Sequence, residues 1–339
     1  MVEVGSLGIG MGRPGTQVLV TGVGGFIGSH VAEALVLAGA RVRGFLRYRA
    51  GDTRAALRWL PDGMLAHIEL MEGDLRDPES VVDATAGCEV VLHLGAQVSV
   101  PRSYANVRDF FETNAMGTLN VALAACRADV RRLVLVSSSE VYGSARFTPI
   151  DENHPLQAQS PYAASKIAAE QLVRSLTCSQ QLAATIVRPF NTFGPRQTSR
   201  AVIPSILSQA VRGPTVRLGS LWPRRDFTYV DDTVAGILAL ASAPEANGET
   251  VNLGTGQDVS IEELVELVAH VVGHDLNVEA DDRRTRPSAS EVSRLQSNAA
   301  KANALAGWSA AVPLVEGLRR TADWIGAHLD QYEPGRYVI

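Results

Sequence analysis

Apolar residues in the first half of the chain fall in short, nearly unbroken runs, each closed by glycine or a polar cluster. These runs predict strands at Gln17–Val20, Arg41–Leu46, near His67–Met71, and at Val90–Leu94, Leu133–Val136 and Ala184–Val187. Between them the apolar positions recur at helical spacing. Ile27, Val31, Leu35 and Val36 mark one helix, Tyr104 to Ala125 a long second one, and Ile167, Ala168, Leu172 and Val173 a third. Strands alternating with helices predict an α/β chain with a doubly wound parallel sheet.

After Pro189 the rhythm changes. A helix is expected over Ala201–Val211, and short strands at Val216–Leu218 and Phe227–Val230. Asp231 or Asp232 would cap a helix carrying Val234, Ile237 and Leu238. Ser260 with Glu263 forms a capping box before Leu264, Val265, Leu267 and Val268, and a last helix is expected from Pro313 to Ile325. The expected organisation is a loose glycine-rich extension (1–16), a dinucleotide-binding Rossmann domain (17–189), and a smaller mixed α/β substrate domain (190–339), part of which returns to the sheet.

Gly22, Gly25 and Gly28 follow the first strand and open the first helix. Glycines there let a turn tighten and the backbone approach a pyrophosphate seated on the helix N-terminus; a packing turn is the plainer reading. The second strand ends in Arg47, Tyr48 and Arg49, without the acidic residue that would bind an adenosine ribose. Arg47 can instead meet a 2′-phosphate, leaning towards NADP, or simply be solvated. Asp74 suits either an adenine contact or a helix cap. His93 is read as a satisfied histidine lining the cleft.

The stretch from Leu133 to Lys166 carries the chemistry. A buried strand runs into Ser137, Ser138, Ser139 and Glu140, and Tyr162 and Lys166 follow four residues apart. A helix begun by Pro161 sets phenol and ammonium one turn apart on one face. A neighbouring ammonium favours phenolate, which predicts proton exchange by Tyr162 near neutral pH.

Composition narrows the partners. A net charge of -5 leaves no basic surplus for a nucleic-acid groove, and no apolar run reaches the ~20 residues of a spanning helix. Cys88, Cys126 and Cys178 are scattered, which fits buried reduced thiols in a cytoplasm and neither a disulfide framework nor a metal site.

The segments TGVGGFIG, SSSEVYG, YAASK and RDFTYVDD resemble the extended short-chain dehydrogenase/reductase superfamily of nucleotide-sugar-modifying enzymes. SSSEVYGSARFTPIDENHPLQAQSPY, VRPFNTFGPRQTSRAVIP and RPSASEV are most similar to nucleotide-sugar 4,6-dehydratases, of the legionaminic or GDP-mannose type. The resemblance implies that Tyr162 takes the proton of the sugar 4-hydroxyl while hydride leaves C4 for the nicotinamide. Lys166 then lowers the phenol and holds the ribose, and Ser138 bonds the reacting oxygen. Glu140 would remove the C5 proton, or else be a carboxylate satisfied by backbone amides. Ser139 stands where many dehydratases have aspartate, relaying a proton or holding a water.

Cofactor contacts are expected from Gly22, Gly25, Phe26, Ile27, Gly28, Arg47, Asp74, Leu75, Leu94, Ala96, Tyr162, Lys166 and Pro189, to a tightly bound NAD(P)+. Substrate contacts are expected from Ser138, Asn191, Val202, Arg225 and Arg286. The two arginines would bind the diphosphate of a nucleotide sugar, or pair on the surface with an acid such as Asp226 or Asp282. The family also implies a homodimer through a four-helix bundle built from the helices near Tyr104–Ala125 and Tyr162–Ser175. A 4-epimerase is the alternative enzyme, and a non-catalytic dinucleotide sensor the alternative of another class.

Overall fold

The computed structural model describes residues 15–48 and 55–332. The expected extension 1–16 therefore lies almost wholly outside the described residues, as does Arg49. Six strands of the first half are β1 (Gln17–Thr21), β2 (Arg41–Arg47), β3 (Ile68–Gly73), β4 (Val90–His93), β5 (Arg132–Val136) and β6 (Ala184–Pro189). With Thr250–Leu253 they form one seven-stranded sheet in the order Thr250–Leu253, β6, β5, β4, β1, β2, β3. Every pairing in it is parallel. The order reverses between β1 and β4, which opens a crevice at their carboxyl ends.

The unbroken apolar runs have a physical reason. Successive side chains of a strand point to opposite faces, and here both faces are covered. Val18, Val20, Val90, Leu92, Val134 and Val136 enter one core with Val31, Ala32 and Leu35 of helix α1 (Phe26–Leu37). Leu19, Val91, Leu133, Leu135 and Ile186 enter the other. That second core is closed by Val81 of α2 (Pro78–Thr85), and by Ala169, Val173 and Leu176 of the helix that carries Tyr162. Each such aliphatic side chain contributes about 1.5–3 kcal/mol by leaving water.

The helix expected over Tyr104–Ala125 is broken. It runs as α3 (Val100–Ala105), α4 (Val107–Phe110), a π-helical stretch Phe111–Met116, and α5 (Gly117–Arg127). Asn106 leaves the helical region at φ -127°, and inside the widened turn Asn114 turns its amide inward. Its Nδ2 donates to Gln97 O at 3.0 Å and Ser165 Oγ at 2.9 Å, while Oδ1 accepts from Gln97 N at 2.7 Å. These side-chain bonds accompany the departure from the regular helical ladder. Helix α6 (Pro161–Gln180) is regular, capped by Ser160 with Pro161 in its first turn.

In the second half, Arg224–Tyr229 is the centre of a small sheet. Asn191–Phe193 and Arg294–Leu295 pair with it in parallel, Asp258–Ser260 antiparallel. Thr215–Leu218 pairs with Asn277–Ala280. The capping box at Ser260 and Glu263 is present. Asp231 and Asp232 are not caps. They lie in the first turn of helix Val230–Ser242, where negative charge suits the helix dipole, and Asp232 Oδ2 accepts from Val312 N at 2.9 Å. The expectation that all three cysteines are buried also fails: Cys88 is buried, Cys126 half-buried and Cys178 exposed.

Candidate active site

The glycine turn forms a cradle with no room for side chains. Gly22 has φ +72°, and a Cβ on it would lie 2.8 Å from Gly95 Cα of the neighbouring strand end. A Cβ on Gly28 would come within 2.2 Å of Gly22 O. Gly25 is the N-cap of α1, without any side-chain cap. The hollow at the N-terminus of α1 therefore fits a pyrophosphate. Phe26 and Ile27 open the helix, and Leu94, Ala96 and Pro189 stand at or just beyond the ends of β4 and β6, along the same crevice. Leu75 packs between Gly95 and Gly117.

Asp74 and Arg47 stand together at the ends of β3 and β2. Arg47 Nε is 3.6 Å from Asp74 Oδ2, which is also 2.6 Å from Arg76 Nη2. Arg76, through its hydrogen bond, holds the Asp74 carboxyl below the usual range. Asp77 caps α2, so the cap reading of Asp74 does not hold. His93 is enclosed. One ring nitrogen is 2.6 Å from Thr21 Oγ1, the other 3.0 Å from Thr118 Oγ1, and burial lowers its pKa to about 3. It is a neutral lining residue, not an acid or base at pH 7.

Ser138 leaves β5 extended, and a 3-10 turn, Ser139–Tyr142, follows. Ser138 Oγ accepts from Glu140 N at 3.2 Å, and Ser139 is buried beneath. Helix α6 brings Tyr162 to the same point, where its hydroxyl hydrogen-bonds Ser138. Lys166, one turn on, donates from Nζ to Val136 O at 2.7 Å. Helical spacing sets the two residues one turn apart, but the Lys166 ammonium is engaged by Val136 O and the predicted shift of Tyr162 is absent. Burial pushes the phenol up to about 12, and the nearby Glu140 carboxylate raises it too; the Ser138 bond pulls the other way without prevailing. Burial also lowers Lys166 to about 8, partly offset by Glu170.

Behind this trio runs a buried polar chain that the sequence reading missed. Glu170 Oε1 accepts from Ser137 Oγ at 2.5 Å and from Arg188 Nε at 3.0 Å, and its Oε2 from Arg188 Nη2 at 2.6 Å. Arg188 also donates to the Tyr142 hydroxyl at 2.8 Å, which donates to Asn252 Oδ1 at 2.6 Å. The chain ties both sides of the Ser138–Glu140 turn to α6 and β6. One signal was available: Glu170 lies a further helical turn beyond Lys166.

A cavity of about 250 Å³ opens beside the turn. It is lined by the predicted Asn191, Val202, Arg225 and Arg286, and by Gln197, Arg200, Arg284 and Glu291, which were not foreseen as site residues. Asn191 Oδ1 is buried with no hydrogen-bond partner among the described residues, as a ligand-facing group would be. Arg225 and Arg286 pair neither with Asp226 nor with Asp282 in the ion pairs seen. Their carboxylates are Glu291 and Glu140: Arg225 Nη2 is 3.3 Å from Glu291 Oε1, and Arg286 Nη1 is 3.8 Å from Glu140 Oε1. Asp226 is instead filled by Thr255, Gly256 and Ser297. Glu140 is therefore not satisfied by backbone amides alone; its carboxylate faces the cavity's cations.

Residues 19–321 match the family described as GDP-mannose 4,6 dehydratase. The chain belongs to that family, within the extended short-chain dehydrogenase/reductase superfamily. It is similar to a dTDP-glucose 4,6-dehydratase of Streptomyces griseus, 34% identical over 331 residues, covering 94% of this chain and 97% of that one. It is also similar to a putative UDP-glucose 4-epimerase of Methanocaldococcus jannaschii, 30% identical over 315 residues and covering 91% and 98%. A solved dTDP-glucose 4,6-dehydratase from Streptomyces venezuelae with NAD bound superposes with a TM-score of 0.82. It is 28% identical, and the match covers 94% of this chain and 99% of that one. The dehydratase/epimerase superfamily and the Rossmann-type sheet read from the sequence are thus confirmed. Among the described residues there is no cluster of metal-ligating side chains, and no helix is long and apolar enough to cross a membrane.

Proposed function

We propose that the chain is a nucleotide-sugar 4,6-dehydratase acting on a UDP- or GDP-linked hexose or N-acetylhexosamine with tightly held NAD(P)+. The observation that carries this is the place of Glu140: it sits on the turn that presents Ser138 to Tyr162, and its carboxylate lies 3.8 Å from Arg286, one of the arginines that line the cavity. A bound nicotinamide supplies the hydride acceptor, and later the donor, and puts a positive charge in the cleft. Tyr162 takes the 4-hydroxyl proton, with Ser138 holding the reacting oxygen. A phenol at about 12 is neutral at pH 7, so Tyr162 needs added positive charge near it to work as a base. Lys166 is one source. Glu140 removes the C5 proton once a 4-ketone has acidified it, and Ser139, which has no acidity of its own, relays the proton that the departing C6 hydroxyl needs. Arg225 and Arg286 hold the diphosphate, and Asn191 and Val202 border the substrate. NADP is favoured by Arg47; the NAD in the Streptomyces venezuelae structure favours NAD. The homodimer belongs to the same reading, supported by Val107, Phe111 and Met116 standing exposed on the broken helix.

A 4-epimerase is the second reading, favoured by serine at position 139 and by the similarity to the archaeal putative epimerase. One experiment separates them. Wild type and Glu140→Gln are incubated in heavy water with a panel of nucleotide sugars, and products are read by mass spectrometry and NMR. The dehydratase reading expects loss of water with deuterium at C5. It expects the variant to reduce bound NAD(P) yet lose about 10²–10⁴-fold in product formation. A C4-inverted sugar of unchanged mass, with no C5 label, refutes it.

A further inference from the structure

Three charged side chains on the cavity wall, Arg225, Arg286 and Glu291, meet next to Glu140. Arg225, only 5% exposed, donates to Arg224 O at 2.9 Å and approaches Glu291 Oε1 at 3.3 Å. Arg286 Nη1 stands 3.8 Å from that same Glu291 oxygen and 3.8 Å from Glu140 Oε1. The two guanidiniums and two carboxylates balance. Glu291 is held in place by its flanks: Ser290 Oγ donates to Gln159 O at 2.5 Å, and Ser293 N donates to Ser144 Oγ at 3.0 Å. Burial pulls the Arg225 guanidinium below its ordinary value, so a cation at this position depends on an anion beside it.

We propose that Glu291 is an internal counterion for Arg225 and Arg286 that a substrate diphosphate supplants, and that the same exchange draws Arg286 away from Glu140. This rests on the reading of the two arginines as diphosphate ligands. A guanidinium fork donates to carboxylate and phosphate oxygens with the same geometry, so the two anions compete for it directly. Glu291 therefore weakens diphosphate binding, and it does so selectively. A ligand with a single phosphate cannot replace what both guanidiniums lose, whereas a diphosphate can. Relieved of Arg286, the Glu140 carboxylate is free to meet the substrate, and only when substrate is seated. Glu291 is a positioning residue in this account, since it acts on substrate through the arginines.

The test is calorimetric titration of wild type, Glu291→Gln and Glu291→Asp with UDP, GDP, dTDP and UMP at low salt. Glu291→Gln should bind the preferred diphosphate about tenfold tighter, a gain of about 1.4 kcal/mol, and should gain at least as much for UMP, which cannot supplant the wild-type carboxylate. Glu291→Asp, which keeps the charge, should stay close to wild type. If Glu291→Gln binds diphosphate equally or more weakly while wild type binds, the exchange is wrong and the substrate reading stands. If wild type binds none of the diphosphates, both fall. Should the glutamine variant be too unstable to titrate, its melting temperature should rise more with diphosphate than that of wild type; an equal or smaller rise overturns the exchange.

Discussion

Glu170 and Arg188 form an ion pair whose side chains are 0% and 1% exposed, which makes their separation the most informative perturbation of the site. Glu170→Gln keeps the volume but removes the charge that answers Arg188 and that accepts from Ser137. Taking one partner from a buried pair leaves the other charge uncompensated, at a cost of about 3–5 kcal/mol. Against the roughly 5–15 kcal/mol of a whole domain, that is a large fraction. Arg188→Met alone should cost a similar amount, because Glu170 is then stranded and the Tyr142 hydroxyl loses a donor. The double variant should cost clearly less than the sum of the two, by about 1–3 kcal/mol, since neither charge is left behind. Urea unfolding monitored by fluorescence and circular dichroism, with an unchanged dependence on denaturant, measures all three. A single-variant loss under about 1 kcal/mol, or strict additivity, would refute the reasoning, because the pair would then be neither desolvated nor coupled.

Three further outcomes are expected. Gly28→Ala should lower stability by about 1–3 kcal/mol and weaken dinucleotide binding measured by fluorescence titration, because its Cβ would sit 2.2 Å from Gly22 O. Lys166 has its folded pKa depressed to about 8 from 10.5. Between those values the unfolded chain holds a proton that the folded chain has lost, and stability rises with pH. Relative to Lys166→Met, wild type should thus gain up to about 3 kcal/mol from pH 7 to 10.5 in matched urea melts; a flat difference would contradict the burial of the ammonium. Arg47→Glu should weaken NADP about tenfold to a hundredfold more than NAD in competitive binding, whereas equal small losses would mark the arginine as bound to Asp74 alone.

Six of the sheet's seven strands were legible because both of its faces are buried; Thr250–Leu253 was not foreseen. A strand such as Leu133–Val136 then carries no polar residue, and the helices between strands keep a plain helical period. The glycine turn and the Tyr162–Lys166 pair were legible for a similar reason: each is a local spacing fixed by one turn of backbone. Long-range partners left weaker traces. Nothing near Arg225 in the chain points to Glu291, and nothing near Ser137 points to Glu170, because those contacts are made by folding. The short strands at Asp258–Ser260, Asn277–Ala280 and Arg294–Leu295 escaped notice because they are brief, with no more than one or two apolar side chains in each. The break in the helix near Asn114 depends on where Gln97 and Ser165 arrive in space. The error over Tyr162 had another source: spacing sets Lys166 one turn away but says nothing of where its ammonium bonds or of desolvation; the ammonium meets Val136 O, and desolvation won.

The enclosure of His93 has a consequence for how the enzyme meets changes in its surroundings. Its pKa is lowered to about 3, and that of His30, buried in the first helix, to about 4. Neither changes charge as a medium drifts between pH 5 and 8. Both stay neutral over the range in which histidines usually act as switches. A pH response of the cleft near neutrality therefore enters through other groups, Lys166 with its pKa of about 8 and the ligand's own phosphates among them, and not through these two histidines.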